Sequence, residues 1–171
     1  MTILGIDPGY ATVGFGIIQG NRTQQRLIQY GVMRTPADMP FSERLKQIYD
    51  DTCLLIQQFT PDVMAVEALF FNKNEKTAIS VAHARGVLLL AGESMGVPMF
   101  EYTPLQIKQA ITGYGRADKK QMMEMVRRLL NMNQIPTPDD AADALAVALC
   151  HSRSATNLLT KHGGQDLCST I

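Results

Sequence analysis

The chain has 171 residues, of which 46% are hydrophobic and 19% charged, and its formal net charge is zero. This length favours a single domain with a substantial core. No apolar run approaches the roughly 20 residues that span a bilayer, and the N-terminus lacks the basic segment of a signal peptide. Cys53, Cys150 and Cys168 are widely spaced, which excludes a C-x-x-C zinc or redox pair. We therefore expect a cytoplasmic protein with no membrane contact.

The zero net charge hides an uneven distribution along the chain. Between residues 72 and 128 there are nine basic and five acidic side chains, a local net charge of +4. Such an asymmetry fits a polyanionic partner, although the charge alone does not identify it.

The first third of the chain predicts three strands. Thr2 to Asp7 is a short apolar run that Pro8 and Gly9 end with a turn. The next two strands are predicted at Thr12 to Gln19 and Gln25 to Thr35, and the short connections favour antiparallel pairing. Glycines 14 and 16 in the second strand would permit close approach by a neighbouring strand or a ligand.

The remaining elements alternate between helix and strand before ending in three helices. Helices are predicted at Pro40 to Phe59, Asn74 to Met95, Pro104 to Thr112, Ala117 to Met132 and Pro138 to His151. Strands are predicted at Val63 to Glu67 and Val97 to Tyr102, the latter at a sheet edge because of Pro98. This pattern indicates an α/β domain with a mixed sheet over residues 1–152, followed by a flexible tail over residues 153–171.

Four carboxylates stand where a soluble fold normally avoids charge. Asp7 and Glu67 end apolar strands, while Asp140 and Asp143 share one face of an Ala- and Leu-rich helix. An unpaired buried carboxylate costs several kcal/mol, roughly, and no lysine or arginine adjoins these four in sequence. An all-oxygen ligand set suits Mg²⁺ or Mn²⁺ better than zinc, and such a site can hold two ions about 4 Å apart.

Other roles remain open for some of these acids. Asp139 and Asp140 lie in the first turn of a helix, where acids are favoured by the macrodipole. Thr137 and Pro138 before them also fit an N-cap followed by a proline at the first helical position. We assign Asp139 to capping. Asp143 lies too far into the helix for that role.

Three blocks of sequence resemble one known family. They are Gly5-Ile6-Asp7-Pro8-Gly9, Val66-Glu67 with Phe70 behind it, and Asp140-Ala141-Ala142-Asp143-Ala144. In this order and spacing, over about residues 1–151, they are similar to the RuvC family of bacterial Holliday junction resolvases. The resemblance implies an RNase H-like fold with a mixed five-stranded sheet. It also implies a homodimer formed through the helix from Asn74 to Met95, working with a RuvA–RuvB branch-migration complex.

The resemblance also implies roles for individual residues. Asp7, Glu67, Asp140 and Asp143 match the catalytic, metal-binding carboxylates, with two Mg²⁺ ions per site and Mn²⁺ as a substitute. Phe70 matches an aromatic residue that contacts the junction, and Ala68 replaces a common glutamine. Further DNA contacts are expected from the basic residues Lys108, Arg116, Lys119 and Lys120, and it stays open whether Lys119 or Lys120 is the active-site lysine.

The function that follows is a structure-specific endonuclease for recombination and repair. It would resolve four-way DNA junctions by symmetric, metal-dependent hydrolysis of phosphodiester bonds. One alternative is an ATPase or kinase of the actin-like superfamily, whose phosphate loops also pair an early aspartate with glycines. That superfamily needs two such domains, for which 171 residues leave no room. Another is a non-catalytic junction-binding module, against which the retention of four carboxylates argues.

Overall fold

The computed structural model describes residues 1–69 and 75–159, with side-chain surroundings for residues 1–69 and 78–154. Its elements follow the predicted order. The strands are β1 (Thr2–Asp7), β2 (Thr12–Gly20), β3 (Gln25–Arg34), β4 (Val63–Glu67) and β5 (Met99–Tyr102). The helices are α1 (Phe41–Phe59), α2 (Glu75–Ser94), α3 (Pro104–Thr112), α4 (Lys119–Leu129) and α5 (Asp139–Leu159).

The strands form one mixed sheet in the order β3-β2-β1-β4-β5. The first three strands pair antiparallel, as their short connections predict, while β1, β4 and β5 run parallel. The predicted edge position of β5 is confirmed. Parallel neighbours bring the carboxyl ends of β1 and β4 to the same edge, which matters for the acids that end them.

Helices cover both faces of the sheet, so the core has two layers. Successive side chains of a strand point to opposite faces. Ile3 of β1 and Ala65 of β4 pack with buried residues of α3, α4 and α5. Leu4, which follows Ile3, and Met64, which precedes Ala65, pack on the other face with buried residues of α1 and α2. The odd-numbered positions of these two strands therefore face α5.

Three glycines let α5 lie close against the sheet. A Cβ added to Gly5 would stand 2.2 Å from the carbonyl oxygen of Ala144, and one added to Gly14 would stand 2.0 Å from that of Asp140. At Gly16 it would meet the Leu145 side chain at 2.7 Å. The sequence predicts a strand or a ligand at glycines 14 and 16. The neighbour is instead a helix, which reaches the β2 backbone because no side chain intervenes.

Helix α5 continues beyond its predicted end at His151 to Leu159. The polar residues that follow His151 find partners elsewhere in the fold. The Ser152 hydroxyl donates to the carbonyl of Asn21 at 2.9 Å, and the Arg153 guanidinium donates to the carbonyl of Ala110 at 2.7 Å. Residues 153–159, which the sequence assigns to a flexible tail, continue α5 in the structure. Residues 160–171 lie outside the described part of the chain, and the tail stays a prediction there.

Helix α4 is shorter than predicted, for reasons visible at both ends. The Asp118 carboxylate accepts from the backbone N–H of Gln121 at 2.8 Å, so α4 begins at Lys119 and not at Ala117. Asn131 has a positive φ of 51°, which stops the helix before Met132. Pro138 likewise precedes α5 and is not its first residue.

None of the helices in the described part of the chain is both long enough and apolar enough to cross a membrane.

Candidate active site

Asp7 and Glu67 lie side by side at one edge of the sheet. Each is the last residue of its strand, and the pairing of Ile6 with Val66 places the two acids next to each other. Both occupy odd-numbered positions, as do Ile3 and Ala65, so their side chains project toward α5. The apolar runs that bury β1 and β4 therefore deliver two carboxylates to the same face.

Asp140 and Asp143 reach this point from the first turn of α5. Gly14 is the register partner of Asp7 in the adjacent strand β2. The Asp140 backbone lies directly against Gly14, and Asp143 follows one helical turn later. The structure thus brings together, from three elements, all four acids that the sequence singles out.

The acids affect one another's protonation. Burial, followed by repulsion from Glu67, Asp143 and Asp140, raises the pKa of Asp7 from 3.8 to about 8. Burial and then repulsion from Asp143 raise the pKa of Glu67 from 4.5 to about 7. Burial also raises the pKa of Asp143, an effect that the nearby Lys119 opposes. Such shifts show how strongly the cluster favours added positive charge.

A cavity of ≈ 250 Å³ opens beside the cluster. Glu67 and Asp143 line it together with Lys108 and Lys119. Its remaining walls are Pro104, Ile107, Met122 and Ala146, which come from α3, α4 and α5. The two lysines offer hydrogen-bond donors to an anionic group in this cavity, and the two acids offer oxygen ligands to a cation.

The structure separates Lys108 and Lys119, which line the cavity, from the other two basic candidates. The Lys119 ammonium lies 3.6 Å from an Asp143 carboxylate oxygen and 2.8 Å from one of Asp139. Within residues 1–69 and 78–154, neither Lys120 nor Arg116 forms an ion pair, and neither lines the cavity. Both are exposed. Phe70, the remaining DNA-binding candidate, lies outside the described residues.

The donor set fits a hard divalent cation. Four carboxylates from three elements offer only oxygen ligands, which Mg²⁺ and Mn²⁺ prefer. Within the described residues, no three His, Cys, Asp or Glu side chains already stand as a closed metal site. The acids nevertheless lie close enough for Glu67, Asp143 and Asp140 to raise the pKa of Asp7, so their carboxylates share one region of the site.

Sequence reasoning missed two parts of this site. The apolar walls of the cavity carry no local signal, because Ile107 and Met122 have the ordinary spacing of core residues. The contact between Asp139 and Lys119 had a usable signal. Asp139 lies four residues before Asp143, a spacing that puts both on one helix face.

Comparison with known proteins gives consistent matches over nearly the whole chain. The sequence profile of the family described as "Crossover junction endodeoxyribonuclease RuvC" matches residues 3–151. A protein of that name from Halothermothrix orenii is 54% identical over 154 residues, covering 90% of this chain and 93% of its own. The Thermus thermophilus RuvC structure shares 36% identity with a TM-score of 0.85, covering 92% and 96%.

A second Thermus thermophilus structure, of RuvC in complex with Holliday junction substrate, aligns with a TM-score of 0.87 at 36% identity and covers 91% of this chain and 94% of its own. The mixed sheet and its helices are accordingly the RNase H-like α/β fold that the sequence predicts. Neither alternative function is favoured by these matches. Fold, sequence and the acids at the ends of β1 and β4 agree, and the chain belongs to the RuvC family of crossover junction endodeoxyribonucleases.

Proposed function

We propose that this protein is a metal-dependent endonuclease that resolves four-way (Holliday) DNA junctions in recombination and repair. The observation that carries the proposal is the convergence of Asp7, Glu67 and Asp143 on one edge of the sheet in a member of this family. The complex of the Thermus thermophilus relative with a Holliday junction supports the substrate. A DNA substrate also supports the cytoplasmic location that the sequence predicts.

The four carboxylates are our candidates for the metal ligands. Asp7, Glu67, Asp140 and Asp143 would hold Mg²⁺ or Mn²⁺, two ions per site in our proposal. Bound there, the cations would lower the pKa of water and neutralise charge on the phosphate. Burial supports this role. It raises the pKa values of Asp7 and Glu67, and a bound cation would stabilise their ionised forms.

The chain's own cations act on the DNA phosphate. Lys108 and Lys119 line the same cavity as Glu67 and Asp143, where each would donate to a non-bridging phosphate oxygen. Such preorganised donors stabilise the charge that develops as the phosphodiester is attacked. Lys120 and Arg116, which do not line the cavity, would contact other phosphates of the junction and position it without selecting its sequence. Phe70 would stack on or wedge between bases of the junction.

We also propose that the protein is a homodimer, so that two sites act on the two strands of a junction. Helix α2 supports this assembly. Its Ile79 and Leu90 side chains are 68% and 57% exposed and lie three helical turns apart on one face. Gly86 between them has open space above it. An exposed apolar stripe of this kind marks a protein interface. The family resemblance further supports work with a RuvA–RuvB complex.

The test is cleavage of a synthetic mobile four-way junction with and without Mg²⁺. We expect symmetric nicks that leave ligatable duplexes, only when Mg²⁺ is present. Asp7→Asn should abolish cutting yet still bind the junction in gel shifts, because it removes a cation ligand and no DNA contact. Asp38→Asn is the matched control. It removes an exposed carboxylate that is not among the four candidate ligands, and it should cut normally. Near-normal cleavage by Asp7→Asn would contradict the assignment of Asp7 as a ligand of the catalytic cation.

A further inference from the structure

An ion pair joins the first residues of two helices at the rim of the site. Lys119 begins α4 and Asp139 begins α5. Their charged atoms are 2.8 Å apart, whereas Lys119 lies 3.6 Å from Asp143. The nearest partner of the active-site lysine is therefore an acid outside the proposed set of four ligands.

Stability does not account for this pair. The side chains of Lys119 and Asp139 are 53% and 58% exposed. Exposed ion pairs contribute little to the free energy of folding. An acid in the first turn of a helix stabilises it slightly, and a lysine there has the opposite effect. Because the two macrodipole effects nearly cancel, a contribution to folding does not explain why Lys119 and Asp139 are paired.

Two cations would compete for Asp143, the Lys119 ammonium and a divalent metal ion. Its carboxylate pairs with Lys119 and is also a candidate ligand for a divalent ion. A carboxylate oxygen bound to a metal ion is less available to an ammonium group, and the two positive charges repel. Asp139 offers Lys119 a second carboxylate on the outer side of the cluster.

We propose that Asp139 is a positioning residue that holds Lys119 at the rim of the cluster, leaving Asp143 free to bind a divalent cation. The ammonium then stays within reach of the DNA phosphate without competing for the ligand. This inference rests on the proposed function, because it assigns Asp143 to cation binding and Lys119 to the phosphate.

The first test measures Mn²⁺ binding by calorimetry without DNA, in a double-mutant cycle. Asp139→Asn should weaken Mn²⁺ binding about three- to tenfold, within the range of couplings between residues in contact. In a Lys119→Met background the same change should weaken it less than about twofold, because the competing ammonium is gone. Asp139→Glu, which keeps the carboxylate, should restore most of the affinity in the presence of Lys119.

A plain loss of negative charge predicts a different result. It would weaken Mn²⁺ binding equally in the two backgrounds, and that outcome, or no weakening in either, overturns the positioning role. Thermal melts of the four proteins of the double-mutant cycle, recorded without cation, should agree within about 2–4 °C. Melts that differ by much more would identify Asp139 as a structural residue and also overturn the proposal.

Junction cleavage gives a second readout and separates the two hypotheses. Asp139→Asn should raise the Mg²⁺ concentration for half-maximal cleavage by the same factor as its loss of Mn²⁺ affinity. If the unmodified protein does not cleave junctions, the proposed function fails, while the Mn²⁺ cycle still decides the role of Asp139. If it cleaves but the cycle shows no coupling, only the positioning role falls.

Discussion

Asp7 illustrates at the scale of one residue how this site works against the stability of its own fold. The carboxylate ends a buried strand, and burial with three neighbouring acids raises its pKa to about 8. Glu67 beside it has a pKa raised to about 7. Both values exceed those of an unfolded chain, so the folded protein binds more protons than the unfolded one between about pH 4 and pH 8. The contribution of these two acids to the free energy of unfolding is therefore fully present below about pH 4, and it is lost as the pH rises through their folded-state pKa values.

We expect the metal-free protein to become less stable between pH 5 and pH 8, and Asp7→Asn to lose less. The variant cannot ionise at this position, so its advantage should grow with pH to at least about 1 kcal/mol, or about 2–4 °C in Tm. Thermal melts in EDTA at several pH values measure this. Asp38→Asn, at an exposed position, serves as the control and should follow the unmodified protein. Parallel curves for Asp7→Asn and the unmodified protein would contradict the expectation.

Individual residues differ in how far the sequence could predict them. Asp7 and Glu67 were predictable because an acid that ends an apolar strand has few structural uses. The choice between Lys119 and Lys120 was not, since neighbours on a helix point about 100° apart and only packing decides which one meets the site. Here α4 packs against α5 so that Lys119 meets Asp139 and Asp143.

At the scale of elements, the position of α5 depends on the glycines beneath it. Gly5 and Gly14 leave the sheet backbone bare where the helix crosses it, and the carbonyl oxygens of Ala144 and Asp140 fill that space. The helix is thereby fixed relative to β1 and β2, and with it the separation between Asp7 and the two helical acids. A side chain on this surface would move two of the four carboxylates at once.

Gly14→Ala should therefore reduce both stability and cleavage. Its Cβ would stand 2.0 Å from the Asp140 carbonyl oxygen, which is backbone and cannot turn aside. We expect a loss of about 1–3 kcal/mol in the free energy of unfolding, typical of overpacking, measured by urea denaturation. Single-turnover cleavage should fall further than the fraction of unfolded protein explains.

Gly31→Ala is the matched control on the same sheet. There the added Cβ would meet the Phe15 ring at 3.0 Å, a side chain that can shift. A small effect at Gly31 with a large one at Gly14 supports the account. Equal effects would show that a glycine in any strand matters in the same way.

The order and type of the elements were predictable from periodicity, but the end of α5 was not. Beyond His151 the sequence loses its apolar spacing, which is the signal that separates helix from tail. The partners of Ser152 and Arg153 are backbone carbonyls of Asn21 and Ala110, far away in sequence. Contacts of that kind leave no local pattern, so the sequence alone indicates a tail.

At the scale of the whole molecule, basic and acidic side chains are concentrated in different parts of a chain whose net charge is zero. Basic residues are concentrated between 72 and 128, and the acidic cluster draws on both ends of the sequence. In the function that we propose, α3 and α4 would hold a DNA strand by its phosphates, and the acids would face the strand through the cations that they bind. Two such sites would act on one junction if α2 forms the homodimer that we propose.

Leu90→Glu tests the assembly. A carboxylate in the exposed apolar stripe of α2 should convert a dimer to monomers, because burying the charge at an interface is costly. Light scattering after size-exclusion chromatography measures the mass. Leu105→Glu is the control, since Leu105 is 55% exposed on α3, which covers the other face of the sheet. A Leu90→Glu protein that stays dimeric would place the interface elsewhere.

The cavity beside the acids has a consequence for inhibition. Its ≈ 250 Å³ is bounded by Ile107 and Met122 as well as by Lys108 and Lys119. A small molecule with an anionic group for the lysines and an apolar ring against Ile107 and Met122 would gain affinity from both contacts. Chelation of metal ions alone uses neither of them.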